Sequence, residues 1–191
     1  LKEADIVVTN PPFSLFRDYV ALLMQYNKQF AIIGNQNAIT YREIFPLIKS
    51  NKIWLGYNNG HYWFMVPDSY EEKKTDFKID ESGQKWRRMG NICWFTNLDI
   101  EKRHENMTLF RTYSLDIYPK YDNYDAIEVS KTADIPCDYD GYMGVPITFM
   151  QYYNPEQFEI AGLDDHRVEW VGHGPRLNGK VKYRRVIIRR K

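Results

Sequence analysis

A chain of 191 residues, 43% hydrophobic and 27% charged, can bury a real core, and it fits one ordinary domain or a domain with a substantial appendage. Its formal net charge of +1 excludes no class of partner, because binding depends on where charge sits. The end "NGKVKYRRVIIRRK" is strongly basic, whereas "DSYEEKKTDFKIDESGQKWRR" mixes both signs. Two cysteines without a pairing pattern, Cys93 and Cys137, and no apolar run of membrane-spanning length lead to the expectation of a reduced, cytoplasmic protein without a signal peptide. His61, His104, His166 and His173 lack metal-ligand spacing, so zinc chemistry is set aside, and no Ser/His/Asp hydrolase signature is visible.

In chain order, "ADIVV" (residues 4–8) is a short apolar run of the kind buried on both faces of a parallel sheet. Leu15, Phe16, Tyr19, Val20, Leu22, Leu23 and Tyr26 follow at near-helical spacing, which predicts a helix over 15–26 with Ser14 as N-cap. "FAIIG" (30–34) is a second buried strand. "TYREIFPLIKSN" reads as a helix capped by Thr40, with Glu43 completing a capping box and Pro46 as a kink. Strand, helix, strand, helix is the unit of an open α/β sheet.

"KIWLGY" and "HYWFMV" predict later strands, residues 67–90 a polar excursion or flexible loop, and "NICWFTNL" another strong strand. From Asp99 onward the texture changes to shorter apolar runs with more Tyr, Asp, Pro and Gly. "FEIAGL", "RVEWVG" and "KYRRVIIR" predict strands there, the last two separated by the turn-rich "HGPRLNGK". The expected division is therefore a catalytic part over 1–100 and a β-rich α+β part over 101–191.

Between the first strand and the first helix stands Asn10-Pro11-Pro12-Phe13. In open α/β sheets ligands bind at the carboxyl edge, where this tetrapeptide falls. Two prolines make a stiff corner without competing N–H donors, Asn10 adds a side-chain acceptor and Phe13 a flat apolar face. Acceptors beside a stacking surface suit a planar substrate bearing an NH₂ group. The lone pair of such an amine is delocalised into its ring. Accepting hydrogen bonds from both N–H groups, at the Asn10 side chain and the Pro11 carbonyl, turns that lone pair towards an electrophile. A base inside a duplex would first be flipped out and held against Phe13. A Pro-rich strand-to-helix turn is the plainer alternative.

The stretch "DIVVTNPPFSLFRDYVALLMQYNKQFAIIGNQNAITYREIFPLIK" resembles the catalytic block of the EcoRI-type adenine-specific DNA methyltransferases. "WFTNLDIEKRHE", "YPKYDNYDAIEV", "MGVPITFMQYYNPEQFEIAG" and "NGKVKYRRVIIRRK" resemble later blocks of that family, so the likeness runs along essentially the whole chain. It implies methyl transfer from S-adenosylmethionine to adenine N6 in double-stranded DNA, in a restriction-modification setting. It also implies a partial Rossmann-like sheet with helices on its faces and catalytic roles for Asn10, Pro11, Pro12 and Phe13. A Gly-rich cofactor loop is not found before the motif. Gly172, Gly174 and Gly179 in "GHGPRLNG" have the wrong spacing and read as a hairpin approach. The expectation is thus a fragment, inactive alone, that shares only the Asn10 edge with the cofactor.

Arg17, Asn35, Asn37, Lys85, Arg87, Arg88, Trp94 and Asn97 are further candidates for contact with substrate or DNA. For each there is a structural alternative: a turn for the asparagines, core packing for Trp94, a solvated face for the cations. Phosphate contact is also open to Lys180, Lys182, Arg184, Arg185, Arg189, Arg190 and Lys191. Two other functional readings stay open: transfer to guanine N2 of RNA or to a protein glutamine amide, and a non-catalytic DNA-binding module.

Overall fold

The computed structural model describes residues 3–57, 60–164 and 174–191. The apolar run after Asp5 forms β1 (Ile6–Thr9), and "QFAIIGN" forms β2 (Gln29–Asn35). The two pair in parallel, with Val7 opposite Phe30 and Thr9 opposite Ile32, as the strand–helix–strand reading requires. The connecting helix α1 (Phe16–Gln25) buries Phe16, Val20 and Leu23. These positions recur three to four residues apart and so share one face.

Helix α1 does not begin as the sequence suggested. Pro12 to Leu15 form a 3-10 turn, with the Leu15 amide bonded to the Pro12 carbonyl at 2.9 Å, and no side chain caps either helical segment. Proline supplies the turn's φ directly, so Ser14 has no capping role. The expected capping box of Thr40 and Glu43 is absent too. A 3-10 turn occupies Gln36–Thr40 and α2 is short (Phe45–Lys49), with Pro46 in its first turn rather than at a kink. A proline there loses no hydrogen bond, since that amide has no intrahelical partner anyway.

The first sheet runs in the order β1, β2, β6 (Lys85–Thr96), β3 (Trp54–Leu55). Strand β6 is antiparallel to β2 with Ile92 opposite Asn35, so residues 85–91 continue past the carboxyl end of β2. This projecting half pairs with β4 (Gly60–Met65) and β5 (Phe77–Ile79). The supposed polar excursion over 67–90 is thus largely an ordered arm. Seven residues at about 3.4 Å each carry it roughly 20 Å beyond the sheet edge. Its turn is held by Asp80, whose carboxylate accepts from the Ser82 hydroxyl (2.6 Å) and the Trp86 indole (2.8 Å). These bonds hold the Asp80 carboxyl down at about 2.

Burial on both faces of β1 is not observed. Ile6 is 48% and Val8 66% exposed, while Val7, on the α1 side, is half-buried. β1 has one neighbour, β2, and among the described residues α1 covers only one face of the pair. The expected arrangement of helices on the sheet's faces therefore reduces to a mixed α/β architecture with few helices.

The second sheet has the order β7 (Ala126–Glu128), β8 (Tyr142–Val145), β12 (Arg185–Arg190), β9 (Phe158–Asp164). Its β7 and β8 are parallel and its remaining pairs antiparallel. Strands β10 (Arg176–Leu177) and β11 (Lys180–Val181) make a hairpin over Asn178-Gly179 with φ of 51° and 74°, the positive values that a tight Asn-Gly turn needs. The hairpin read in "HGPRLNGK" is present there; the strand read in "RVEWVG" lies outside the described residues. One continuous buried cluster includes Phe16, Phe30, Ile32 and Phe95 of the first sheet and Met143, Phe149, Phe158 and Ile188 of the second, so the boundary near residue 100 separates sheets but not cores.

Helix α1 is set on the sheet by Phe16, whose ring meets Phe95 edge-on at 5.0 Å and lies over Gly34. A Cβ at Gly34 would fall 2.5 Å from a Phe16 ring carbon. Gly34→Ala is expected to cost about 1–3 kcal/mol in urea denaturation, through overpacking.

Candidate active site

The tetrapeptide Asn10-Pro11-Pro12-Phe13 leaves β1 at the carboxyl edge of the parallel pair. Pro11 is buried, whereas Asn10 and Pro12 are exposed and the Phe13 ring is 44% exposed. The Pro12 carbonyl closes the turn with Leu15. Among the described residues, no hydrogen bond occupies the Asn10 side chain or the Pro11 carbonyl. The corner is anchored beneath by Pro11 and, three residues on, by Phe16 against Gly34 and Phe95. The Asn10 side chain and the Phe13 ring are left exposed above the buried Pro11.

Asn35 and Asn37 follow β2 at this same edge. Asn35 has φ −75° and its carboxamide oxygen accepts from the Asn37 amide at 2.9 Å, so it caps the 3-10 turn in extended geometry rather than at positive φ. Asn37 is exposed and lines a groove with Thr40, Tyr41, Tyr183 and Arg184. Arg17 lies in the first turn of α1 with its guanidinium 5.6 Å from the centre of the Tyr41 ring and 3.8 Å from Glu43. Arg17, Tyr41, Arg42 and Glu43 line a second cleft, which shares Tyr41 with the first.

The remaining candidates are not brought to this corner. Asn97 accepts from the Phe30 amide and donates to the Lys28 carbonyl, both at 2.8 Å, which pins the amino end of β2, the opposite edge of the sheet. Trp94 stands opposite Ile33 on β6, half-buried, on the sheet face away from α1. Lys85 donates to the carbonyls of Asp68 (2.9 Å) and Tyr70 (3.2 Å). Arg87 donates to those of Thr75 (2.5 Å) and Asp76 (3.0 Å), and Arg88 lies 3.5 Å from the Asp76 carboxylate. These three cations hold the arm's own connection together.

Tyr41, Arg42, Tyr183 and Arg184 were not singled out together from sequence. Two Tyr-Arg pairs, 41–42 and 183–184, were the available signal, because an exposed aromatic beside a cation suits nucleic-acid contact. The second pair is held by Arg185. That guanidinium bonds the buried Glu128 carboxylate at 2.6 Å and donates to the carbonyls of Tyr183 and Arg184 at 3.3 and 3.2 Å. Burial pushes its pKa down, but the bond to Glu128 and its charge outweigh this and leave it above the ordinary arginine value. The Tyr121 hydroxyl also donates to Glu128, and burial with this bond pushes the phenol well above its usual range. Arg184 reaches across to the Thr40 hydroxyl at 2.5 Å, and Thr40 donates to the Asn37 carbonyl at 2.9 Å. A chain of bonds thus joins the second sheet to the loop after β2.

The sequence matches the family described as adenine-specific methyltransferase EcoRI over residues 1–191. This chain belongs to that family. It is 50% identical over 199 residues to the type II methyltransferase M.EcoRI of Escherichia coli, covering 100% of this chain and 59% of the relative. The type II methyltransferases M.MgeORF184P of Mycoplasma genitalium and M.MpnI of Mycoplasma pneumoniae are 42% and 40% identical, again over 100% of this chain and 66% of each relative. The chain thus spans less than two thirds of the length of these relatives. No solved structure matches it. In this family the methyl donor is S-adenosylmethionine. The glycines at positive φ among the described residues, Gly83, Gly174 and Gly179, do not follow a parallel strand, so these residues contain no glycine cradle of that kind. Among the described residues, no group of three or more His, Cys, Asp or Glu could hold a metal ion, and no helix is long and apolar enough to cross a membrane.

Glu128 and Arg185 have side-chain exposures of 4% and 11%. Glu128→Ala leaves a buried guanidinium without its counter-charge and is expected to cost about 3–5 kcal/mol in equilibrium unfolding, with Glu128→Gln milder because it keeps acceptor geometry.

Proposed function

We propose that the protein transfers a methyl group to the N6 amine of adenine in double-stranded DNA, and that this chain supplies the amine-binding corner and part of the DNA-contacting surface. The observation that carries the reading is the corner itself: Asn10 and the Pro11 carbonyl, without other partners among the described residues, beside a half-exposed Phe13 at the carboxyl end of a parallel strand. Bound S-adenosylmethionine supplies the electrophilic methyl.

The protein's own part is to position and polarise the amine. The adenine N6 group donates one N–H to the Asn10 carboxamide oxygen and the other to the Pro11 carbonyl. Both acceptors are fixed, so the nitrogen is drawn towards tetrahedral geometry and its lone pair is aimed away from the protein wall. As the new N–C bond forms the nitrogen becomes cationic and its N–H donors strengthen, so the two acceptors stabilise the transition state more than the ground state. The extra proton leaves after attack, and a neutral Asn suffices. Phe13 stacks on the extruded base. Pro11 and Pro12 contribute stiffness, which keeps the two acceptors from relaxing towards each other.

Residues 1–100 then form the remainder of a Rossmann-like catalytic domain and 101–191 a target-recognition part. The parallel β1–α1–β2 unit supports the first assignment, and the separate β-rich second sheet supports the second. Arg17, Asn35 and Asn37 remain the candidates for the same edge, since Arg17 lies in the first turn of α1, Asn35 ends β2 and Asn37 follows it.

The test uses the protein expressed at the full length of its gene, with tritiated methyl transfer to DNA, RNA and protein substrates. Transfer is expected to adenine in duplex DNA. Asn10→Ala should lower kcat by about 10²–10³-fold or more, as for loss of one positioned partner of the developing charge, while DNA affinity changes little. An Asn10→Ala enzyme with wild-type kcat, or methylation confined to RNA or protein, would overturn the assignment.

A further inference from the structure

Strand β2 carries Phe30, Ile32 and Gly34 on its buried face, and the Phe16 ring over Gly34 marks this as the face covered by α1. Asn35 is extended, with ψ of 137°, so the next side chain, that of Gln36, falls on the same face as Gly34. Gln36 is the first residue beyond the carboxyl end of β2 and is only 7% exposed. The Asn10 corner leaves the neighbouring strand β1 at the same edge and runs into α1, so it turns towards this face as well.

Gln36 differs from its neighbours in what it bonds to. The Asn35 carboxamide caps the turn, and the Thr40 hydroxyl donates to the Asn37 carbonyl and accepts from Arg184. Among the described residues neither end of the Gln36 carboxamide makes a hydrogen bond, and its nitrogen is covered from solvent. An amide buried in this way has given up its hydration without a protein partner in return, whereas Met or Leu would fill the same space without that cost. Its position points to an acceptor that comes from outside the chain.

We propose that Gln36 donates a hydrogen bond to a ring nitrogen flanking the amine of the extruded adenine, N1 or N7, and so fixes the rotation of the base within its plane. The inference rests on the adenine methyltransferase reading. Asn10 and the Pro11 carbonyl hold a single atom of the base, N6, and a ring stacked on Phe13 can still pivot about it. A third contact at a neighbouring ring atom removes that pivot, and with it the swing of the lone pair away from the methyl donor. Adenine N1 and N7 are both acceptors, which is what an NH₂ group without a partner requires. The terminal torsion of glutamine is two-fold, and its oxygen and nitrogen are close in size. A half-turn therefore presents the NH₂ end to the base without repacking its surroundings. Gln36 is thus a positioning residue, which binds the ring and takes no proton from it.

The full-length protein and its Gln36→Met variant are compared on duplexes whose target base is adenine, 1-deazaadenine or 7-deazaadenine. With adenine, Gln36→Met is expected to lower kcat/KM about tenfold, the size of one net hydrogen bond. Replacing the contacted nitrogen by CH should cost the wild type a further factor that the variant does not lose, while the other analogue affects both enzymes alike. Comparing the two enzymes on one duplex cancels any change in base pairing. In urea denaturation the variant should be as stable as the wild type or more so, because it no longer buries an unbonded amide. A less stable variant would show that Gln36 bonds to protein, and the assignment would fall. It falls equally if wild type and variant respond in the same way to both analogues, whatever their stability. A wild type that leaves the adenine duplex unmethylated would overturn the adenine reading itself, and this inference with it.

Discussion

The buried pair of Arg185 and Glu128 is the constraint on which the arrangement of the two sheets depends. Removing two charges from water costs several kcal/mol each, and their attraction offsets this only when every donor and acceptor is matched. Here the matching is close to complete. The carboxylate receives Nε and Nη2 of Arg185, the Tyr121 hydroxyl and, at 3.3 Å, the Ser130 hydroxyl. The remaining guanidinium nitrogen is used by two main-chain carbonyls, those of residues 183 and 184. One ion pair therefore joins β7 to β12 and sets the backbone from which Tyr183 and Arg184 project. Arg184 then meets Thr40, so the loop after β2 takes its position from a charge buried in the other sheet.

The parts of the fold that were legible in the sequence are those in which one local pattern had no competitor. Apolar runs at 4–8 and 30–34 flank a helical repeat, and the parallel pairing follows. The capping signals at Ser14 and Thr40 misled because stronger local constraints were present. Pro12 starts a 3-10 turn with its own ring geometry, and Thr40 is drawn to Arg184, 144 positions away. Of the arm, β4 could be read as "HYWFMV", but β5 and the first half of β6 could not. Ile79 and Met89 on those strands are exposed, so no buried face imposes the alternation by which a strand is read. The corner at Asn10 could be read as a corner because Asn10, Pro11, Pro12 and Phe13 are consecutive. Asn97 could not be placed, since its carboxamide serves equally well to bind a substrate or to clamp a strand end, and only the antiparallel register of β6 places it at the far edge.

The cations show the same limit most clearly. Lys85, Arg87 and Arg88 form as dense a basic cluster as Lys180 to Arg185, and both have an aromatic among them. What separates them is the supply of acceptors nearby. The connection between β4 and β5 turns its carbonyls inward and places Asp76 beside Arg88, so the arm satisfies its own charge. Among the described residues, the lip opposite the 180–184 run carries the Thr40 and Tyr41 hydroxyls and the Asn37 amide. The buried pair of Arg185 and Glu128 fixes the backbone of that run.

The corner at Asn10 obeys the same rule of rigidity with different materials. In the proposed reaction its acceptors are useful only if they hold their positions while the amine changes from planar to tetrahedral, since a partner that moves with the substrate stabilises both states alike. Pro11 and Pro12 remove two φ rotations, Pro11 is buried, and Phe16 is set between Gly34 and Phe95 within one turn of the corner. Gly34 is what admits that ring, and it lies one residue before Asn35, which caps the turn leading to the groove. A single glycine on β2 thus sets the height of α1 and the start of the loop together. The corner leaves β1 and the loop leaves β2, and the contact of Phe16 with Gly34 ties the two.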